Sequence, residues 1–312
     1  MKLGVALGWH SLAWEDLLDL VRRAESAGFA AVYVDGDVSM LGSRREQDVL
    51  DGWTVTTALL ARTQRIQVAS IRLVHHWNAA RLAQAGATAE RIAPGRLRLF
   101  VSIGDRPEDR RFGLALPPVP ERIAWLDETL DAVRALWRGE TVTRAGSFVR
   151  LDGALVRPIP PPGALPIEVG ARGRSLLRVV ARHAAVWNVN LPPITARVAR
   201  AADWLAGACA DIGREPAEIR RSQWIFTRVQ TRADAAGALA EFRRLNPWFS
   251  GLPDAEVAPA LVVGDAACCR ERLAEITSEL SLDLPVLDLS GADAETARRN
   301  LAAVPPGSLR AV

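Results

Sequence analysis

The stretch AARLAQAGATAERIAPGRLRLFVS, residues 79–102, is the most informative part of the sequence for the fold, because it contains one complete helix–turn–strand unit. Apolar residues recur at helical spacing as far as Arg91, and Pro94 and Gly95 then predict a turn. The apolar run Leu97–Ser102 that follows is typical of a buried strand. A strand joined to a helix in this way is the repeating unit of parallel α/β folds.

The same alternation continues through the chain and predicts eight strands. They are Leu3–Leu7, Ala31–Val34, Ile66–Ser70, Leu97–Ser102, Pro166–Val169, Val186–Val189, Trp224–Val229 and Leu284–Leu289. Eight such units in 312 residues match one (β/α)8 TIM-barrel domain over residues 1–312, with its chemistry at the carboxyl ends of the strands. A doubly wound sheet would need a glycine-rich GxGxxG turn after the first strand, and LGWHSLAW, residues 7–14, contains none.

The alternation is interrupted after the fourth strand, which predicts an insertion over approximately residues 106–164. It contains an amphipathic helix, Glu121 to Trp137, and a small hairpin, Thr141 to Leu151. Proline-rich PIPPPGALP, residues 158–166, then returns the chain to the barrel.

Composition excludes several classes of protein. Hydrophobic residues make up 49% and charged residues 24% of the chain, which is ordinary for a globular protein and unlike a disordered or fibrous one. The net charge is only +3, with acids and arginines interleaved, so we expect no nucleic-acid partner. Three cysteines make no disulfide framework and lack metal-ligand spacing, so no metal site is predicted. With no secretory signal and no membrane-length apolar run, we expect a cytoplasmic protein without a membrane partner.

Several segments resemble the bacterial luciferase-like family of flavin- and deazaflavin-dependent oxidoreductases. They include RAESAGFAAVYV (residues 23–34), AQAGATAERIAPGRLRLFVSIGD (83–105), ERIAWLDETLDAVRALWRGETVTRAGSFVRL (121–151) and LPIEVGARGRSLLRVVARHAAVWN (165–188). The resemblance covers most of the chain and is nearest to enzymes that use the deazaflavin coenzyme F420. It implies a TIM barrel that binds F420, or alternatively flavin mononucleotide (FMN), and a small-molecule substrate. Relatives often dimerise through helices flanking strands two and three, so a homodimer is a candidate assembly.

The resemblance also implies which residues contact the cofactor. The loop Gly170–Ala171–Arg172–Gly173 opens a helix after a strand, where backbone N–H groups and the helix dipole favour a phosphate. Ser70–Ile71 matches a position where relatives often carry a non-prolyl cis peptide against the cofactor ring. The remaining predicted contacts come from the ends of the fourth and sixth strands. They are Ser102, Gly104, Trp187 and Asn188.

Three residues are candidates for proton transfer. Asp105 ends the turn after the fourth strand, where F420-dependent glucose-6-phosphate dehydrogenases have a glutamate that serves as an acid. Alternatively, Asp105 is a loop carboxylate that pairs with Arg106 or Arg110. His10 lies just past the first strand and titrates near neutral pH. Asp37 is the third candidate, because it follows the second strand.

The chain departs from the family pattern after the second strand, where relatives commonly show an Asp-His pair. Here the residues are Asp35–Gly36–Asp37, so the histidine is missing. Three functions follow as hypotheses. The first is F420-dependent hydride transfer to or from a small organic substrate, with proton transfer by a side chain. The second is an FMN-dependent luciferase-like monooxygenase, and the third is a barrel that has lost its cofactor and its catalysis.

Overall fold

The computed structural model describes residues 2–8, 12–38, 48–231 and 234–309. Eight parallel strands form a closed barrel, as the sequence predicts. In chain order they are β1 (Gly4–Leu7), β2 (Ala31–Val34), β3 (Gln67–Leu73), β4 (Leu97–Ser102), β7 (Ile167–Ala171), β8 (Val186–Val189), β9 (Arg220–Val229) and β11 (Leu284–Leu289). The ring closes because β1 pairs with both β2 and β11, and β8 pairs with β9. Within the described residues, no helix is both long and apolar enough to cross a bilayer.

Helices surround the barrel and bury their apolar faces against it. They are α1 (Trp14–Ser26), α2 (Gly52–Arg62), α3 (Ala79–Ile92), α4 (Val119–Trp137), α5 (Arg174–His183), α6 (Thr195–Ala210), α7 (Ala235–Leu245), α8 (Asp254–Val257), α9 (Ala266–Glu279) and α10 (Ala294–Ala303). A short strand, β10 (Val262–Gly264), pairs with the carboxyl end of β9.

The predicted insertion contains a regular element of the barrel. Helix α4 packs against α3 on one side and α5 on the other, which is the position of the fourth barrel helix. The parts of residues 106–164 that are additional to the repeat are therefore a 3₁₀ segment, Pro107–Phe112, and the hairpin β5 (Val142–Ala145) and β6 (Arg150–Ala154).

Strand β3 is longer than the sequence predicts, and its extension contributes to the barrel interior. The prediction ended at Ser70, whereas β3 pairs with β4 as far as Leu73 opposite Ser102. Ile71 and Leu73 pack inside the barrel with Tyr33 and Phe100. Ile71 and Leu73 are therefore part of the buried barrel interior and not of the loop that follows the strand.

A buried polar network occupies part of the barrel interior. The Glu168 carboxylate, on β7, accepts hydrogen bonds from Arg98 Nη2 at 2.6 Å and from the Tyr33 hydroxyl at 3.0 Å. The Ser222 hydroxyl donates to it at 2.5 Å and Asn188 Nδ2 at 3.3 Å. Four donors from four other strands thus meet one carboxylate, and this compensates for its desolvation.

Candidate functional site

A cavity of about 550 Å³ lies at the carboxyl ends of the barrel strands. This volume is within the usual range for cofactor and small-ligand pockets. Its floor is apolar and includes Ile71 and Phe100, while its walls carry acids and arginines that follow the strands. The position is the one that TIM barrels use for chemistry.

Most of the predicted site residues line this cavity. They are Asp37, Ile71, Ser102, Gly104, Asp105, Gly170, Arg172, Gly173 and Asn188. His10 lies outside the described residues. Ser70, Ala171 and Trp187, which were also predicted as cofactor contacts, do not line the cavity.

Ser70 faces the helices rather than the cavity. Its hydroxyl lies 2.7 Å from the Thr56 hydroxyl on α2. The neighbouring Ile71 faces inward, because successive side chains of a strand point to opposite faces. The Ser70–Ile71 peptide bond is not cis; within the described residues the cis peptide is Arg157–Pro158.

Trp187 and Ala171 are excluded from the cavity by the same alternation. Trp187 is fully buried in the layer between strands and helices, and its indole N–H donates to the Ala171 carbonyl at 2.9 Å. The next residue, Asn188, points inward to the Ser222 hydroxyl at 2.9 Å. Trp187 is therefore a core residue, and Asn188 alone of this pair faces the cavity.

Asp105 lies at the solvent-accessible wall of the cavity, yet protein surrounds it on most sides. This partial desolvation raises the pKa of its carboxyl, against the lowering effect of Arg106, Arg172 and Arg122. Neither alternative partner forms an ion pair with it. Arg106 binds Asp37 at 2.6 Å, and Arg110 donates to the Leu116 carbonyl at 3.0 Å. Asp105 therefore lines the cavity without an ion pair to either of these arginines.

The turn that presents Asp105 requires a glycine. Gly104 has a φ of +66°, and a Cβ there would lie 2.5 Å from His75 Cε1. The positive φ and the close approach of the imidazole both exclude larger residues. The Arg122 guanidinium also donates to the carbonyls of Ile103 and Gly104. The His75 ring and the Arg122 guanidinium therefore both contact the turn and fix its position.

Asp35 and Asp37 form a second acidic feature of the cavity. Burial raises the pKa of Asp35 well above its usual range, and the neighbouring Asp37 carboxyl raises it further. Arg106 forms an ion pair with Asp37 and also partly offsets the rise in the pKa of Asp35. The net effect at Asp35 favours its protonated carboxyl.

We expect Asp35→Asn to stabilise the protein, and to do so more at pH 8 than at pH 4. The pKa of Asp35 is higher in the native state than in the unfolded state, where it is about 3.9. The stability that Asp35 contributes is therefore fully present below about pH 3.9, and it is lost as the pH rises through the native pKa. Asparagine does not ionise, so the variant loses nothing over that window. Thermal unfolding across pH 4 to 8 measures the difference.

Asp51→Asn is the matched control, because the stability that Asp51 contributes should depend on pH in the opposite direction. Against the effect of partial burial, hydrogen bonds from Thr54 lower the pKa of Asp51, which caps α2. Its contribution is therefore present above about pH 3.9 and lost as pH falls. Equal pH dependence of the two variants would contradict the assignment of Asp35.

The glycine loop between β7 and α5 has the form of an anion site. Gly173 is the N-cap of α5. In the part of the chain that the structure describes, no side chain caps this end and nothing lies within 4 Å of where a Cβ on Gly173 would be. A Cβ on Gly170 would lie 3.0 Å from the Phe100 ring. The first N–H groups of α5 are therefore accessible at the end of the helix dipole that attracts anions.

Three exposed arginines surround the same rim. Arg172, Arg174 and Arg244 line the cavity, and none forms an ion pair with another described residue. Arg172 lies over the ring of Phe249, with 5.3 Å from its Cζ to the ring centroid. The rim is consequently positive on the side of the glycine loop.

Sequence reasoning missed several aromatic wall residues. Trp224, in the middle of β9, faces the cavity, and its buried indole N–H has no hydrogen-bond partner among the described residues. Trp248 and Phe249 line the cavity from the 3₁₀ segment Pro247–Phe249 after α7. The alternation of side chains along β9 could have identified Trp224, because Ser222 and Phe226 lie on the same face of the strand. No local pattern places the 247–249 segment over the barrel.

Comparison with known proteins finds relatives that are named as F420-dependent dehydrogenases. An F420-dependent glucose-6-phosphate dehydrogenase from Nakamurella multipartita is 32% identical over 194 residues, which are 59% of this chain and 54% of that protein. The chain thus spans about half the length of the curated relatives it matches.

Two solved structures share the fold over nearly the whole chain. An F420-dependent secondary alcohol dehydrogenase, solved with an F420–acetone adduct, superposes with a TM-score of 0.82 at 18% identity, covering 99% of this chain and 100% of the other. The EDTA monooxygenase of Chelativorans superposes with a TM-score of 0.79 at 13% identity, covering 99% and 94%. At these identities the likeness concerns the fold alone.

A family model decides the assignment, because it matches far more than half of the sequence. The model is that of the luciferase-like monooxygenases, and it matches residues 1–283. Barrel, cavity and sequence agree, and the chain belongs to the luciferase-like monooxygenase family.

Proposed function

We propose that this protein is an oxidoreductase that binds coenzyme F420 in the cavity and moves a hydride between the coenzyme and a small organic substrate. The observation that carries the proposal is the meeting, in one cavity, of a free carboxyl of raised pKa, Asp105, with an anion-binding loop, Gly170–Gly173. The names of the relatives above support the same cofactor.

The cavity residues fit a flat, anionic cofactor. The apolar floor offers Ile71 and Phe100 to a planar ring, and Trp224 offers an unpartnered N–H donor. The three rim arginines and the free N–H groups of α5 suit a phosphate-bearing tail. F420 carries a phosphodiester and several glutamates, whereas FMN carries one phosphate, so the rim charge favours F420.

When bound, F420 supplies C5 as the hydride donor or acceptor. The residues of this chain then have separate tasks. Asp105 exchanges the accompanying proton. Its raised pKa keeps the carboxyl protonated at higher pH than in an ordinary aspartate, as a proton donor requires. The Asp35–Asp37 pair takes the position of the missing Asp-His pair and offers a second proton site, held against Arg106.

The test of this function is a calorimetric titration with F420 and, separately, with FMN. We expect F420 to bind more tightly. Tighter binding of FMN, together with oxygen-dependent product formation, would assign the protein to the flavin monooxygenases of its family. Binding of neither would identify it as a barrel that has lost its cofactor.

Gly173→Asp should weaken F420 binding while leaving the fold intact. The new carboxylate would stand where the phosphate meets the first N–H groups of α5. Gly173 has φ −111° and open space around it, so aspartate fits, and as an N-cap it stabilises α5. Titration calorimetry measures the affinity for F420, and scanning calorimetry measures the stability of the fold, so the effects on binding and on stability are separated.

Gly173→Asn is the matched control, because asparagine has the same shape and caps a helix as well but adds no charge. It should retain most of the affinity. Equal affinities in the aspartate variant and wild type would place the phosphate away from this loop.

A further inference from the structure

A second cavity, of about 310 Å³, is lined by His75 and His76, which belong to a cluster of metal-ligand side chains. His75 and His76 follow β3, and Asp109 belongs to the 3₁₀ segment Pro107–Phe112. Their ligand atoms all lie within 4.8 Å of one another. None of the three has a role in the hydride transfer proposed above.

Both imidazoles point at the same carboxylate oxygen. His75 Nε2 lies 2.7 Å and His76 Nε2 2.9 Å from Asp109 Oδ2. In a tetrahedral zinc site with bonds of about 2.0–2.1 Å, neighbouring ligand atoms are about 3.3 Å apart. The cluster therefore needs only a small expansion to hold an ion between the three atoms.

The cluster is buried and lacks a permanent positive charge. The side chains of His75 and Asp109 are 0% exposed and that of His76 is 7% exposed. Within the described residues, Asp109 has no ion partner except these two imidazoles. A carboxylate buried without an arginine or lysine partner favours a bound cation.

Two polar atoms of the cluster have no partner. Asp109 Oδ1 and His75 Nδ1 are buried and form no hydrogen bond within the described residues. A buried carboxylate oxygen without a donor is costly. A divalent ion bound by the Asp109 carboxylate would place a positive charge beside this oxygen.

We propose that His75, His76 and Asp109 bind a divalent transition-metal ion, with Zn²⁺ as the best fit. Two neutral imidazoles and one carboxylate are ligands that zinc prefers, and three protein ligands leave one coordination position open. His75 and His76 also line the second cavity, together with Trp77, Asn78, Trp125 and Phe148, and this cavity has room for a water molecule.

The site is joined to the loop that carries Asp105. The His75 ring packs against Gly104, and Asp109 lies four residues beyond Asp105. Zinc would therefore tie the end of β3 to residues 104–109 and order this loop.

The experiment measures zinc directly on the full chain. Purified protein is equilibrated with Zn²⁺, passed through a desalting column and analysed by mass spectrometry for metal content, with a chelator competition for affinity. Co²⁺ loading adds a readout of geometry through its visible absorption. We expect one zinc per chain and a four-coordinate cobalt spectrum.

Asp109→Asn and His76→Gln are the ligand variants. Each should lose at least the roughly 10–100-fold in zinc affinity that removal of an outer-shell partner costs in known sites. Zinc should also slow amide hydrogen exchange over residues 104–113 in wild type and not in these variants.

His183→Gln is the matched control, because His183 Nε2 contacts Asp127 Oδ1 at 2.8 Å in another His–Asp pair of the same fold. It should bind zinc as wild type does. Cys268→Ser, which removes an exposed thiol, should do the same. Wild type without stoichiometric zinc, ligand variants with unchanged affinity, or loss of zinc in either control would each overturn the proposal.

Discussion

Asp105→Asn should lower turnover by roughly 10²–10⁴-fold, the usual contribution of a general acid or base, while F420 binding changes little. Asparagine keeps the shape and hydrogen-bonding capacity of the side chain but removes its exchangeable proton. Asp105 forms no ion pair with a described residue, so its replacement leaves no charge unpaired. Single-turnover oxidation of reduced F420 by an accepted substrate measures the rate.

The pH profile identifies the group that titrates. With Asp105 as the acid, the wild-type rate should fall as pH rises through its raised pKa, and this limb should be absent from Asp105→Asn. Asp211→Asn, an exposed carboxylate at the end of α6, should behave as wild type.

Two outcomes would assign the proton to another residue. A wild-type rate in Asp105→Asn with an inactive His10→Ala would make the histidine the acid and Asp105 a structural carboxylate. Loss of activity in Asp35→Asn instead would assign the proton to the Asp35–Asp37 pair.

Glu168→Gln should destabilise the fold by about 3–5 kcal/mol, because it leaves the Arg98 guanidinium buried in the barrel without a counter-charge. The side chains of Arg98 and Glu168 are 7% and 0% exposed and lie 2.6 Å apart. Glutamine has nearly the same size, but its NH₂ group cannot accept from the buried donors around residue 168, so the loss reports both the charge and one lost acceptor. The free energy of unfolding from urea denaturation measures it.

Glu140→Gln is the control for this change. Glu140 also pairs with an arginine, Arg138, at 2.5 Å, but both side chains are more than half exposed. Water screens such a pair, and its loss should have little effect. Adding Arg98→Met to Glu168→Gln should recover much of the stability, since the unpaired charge is then removed as well. Equal effects of Glu168→Gln and Glu140→Gln would show that burial does not strengthen the interior pair.

The family and the barrel were predictable because their signals are local. The bounds of β2, β4, β8 and β11 coincide with the predicted strands, since each is a short apolar run closed by turn residues. Gly104 and Gly173 were identified for the same reason, because a turn or a helix start shows in neighbouring residues.

The sequence did not show the direction in which each side chain points. Ser70 and Trp187 lie in predicted strands but face the helices, and the adjacent Ile71 and Asn188 face the cavity. A strand presents alternate residues to opposite faces, and continuous apolar runs such as these conceal which face is which.

The sequence by itself determined the eight-stranded barrel, the family and the end of the barrel where chemistry occurs, because periodicity and turn residues are local properties. Only the tertiary structure decided that Arg106 pairs with Asp37 and leaves Asp105 free, and that Asp35 and Asp37 share one environment. It alone brought Asp109 to His75 and His76, which are 34 and 33 residues away in the chain. Barrel closure places the ends of distant strands side by side, and the charges and desolvation that set the chemistry there depend on which side chains then meet.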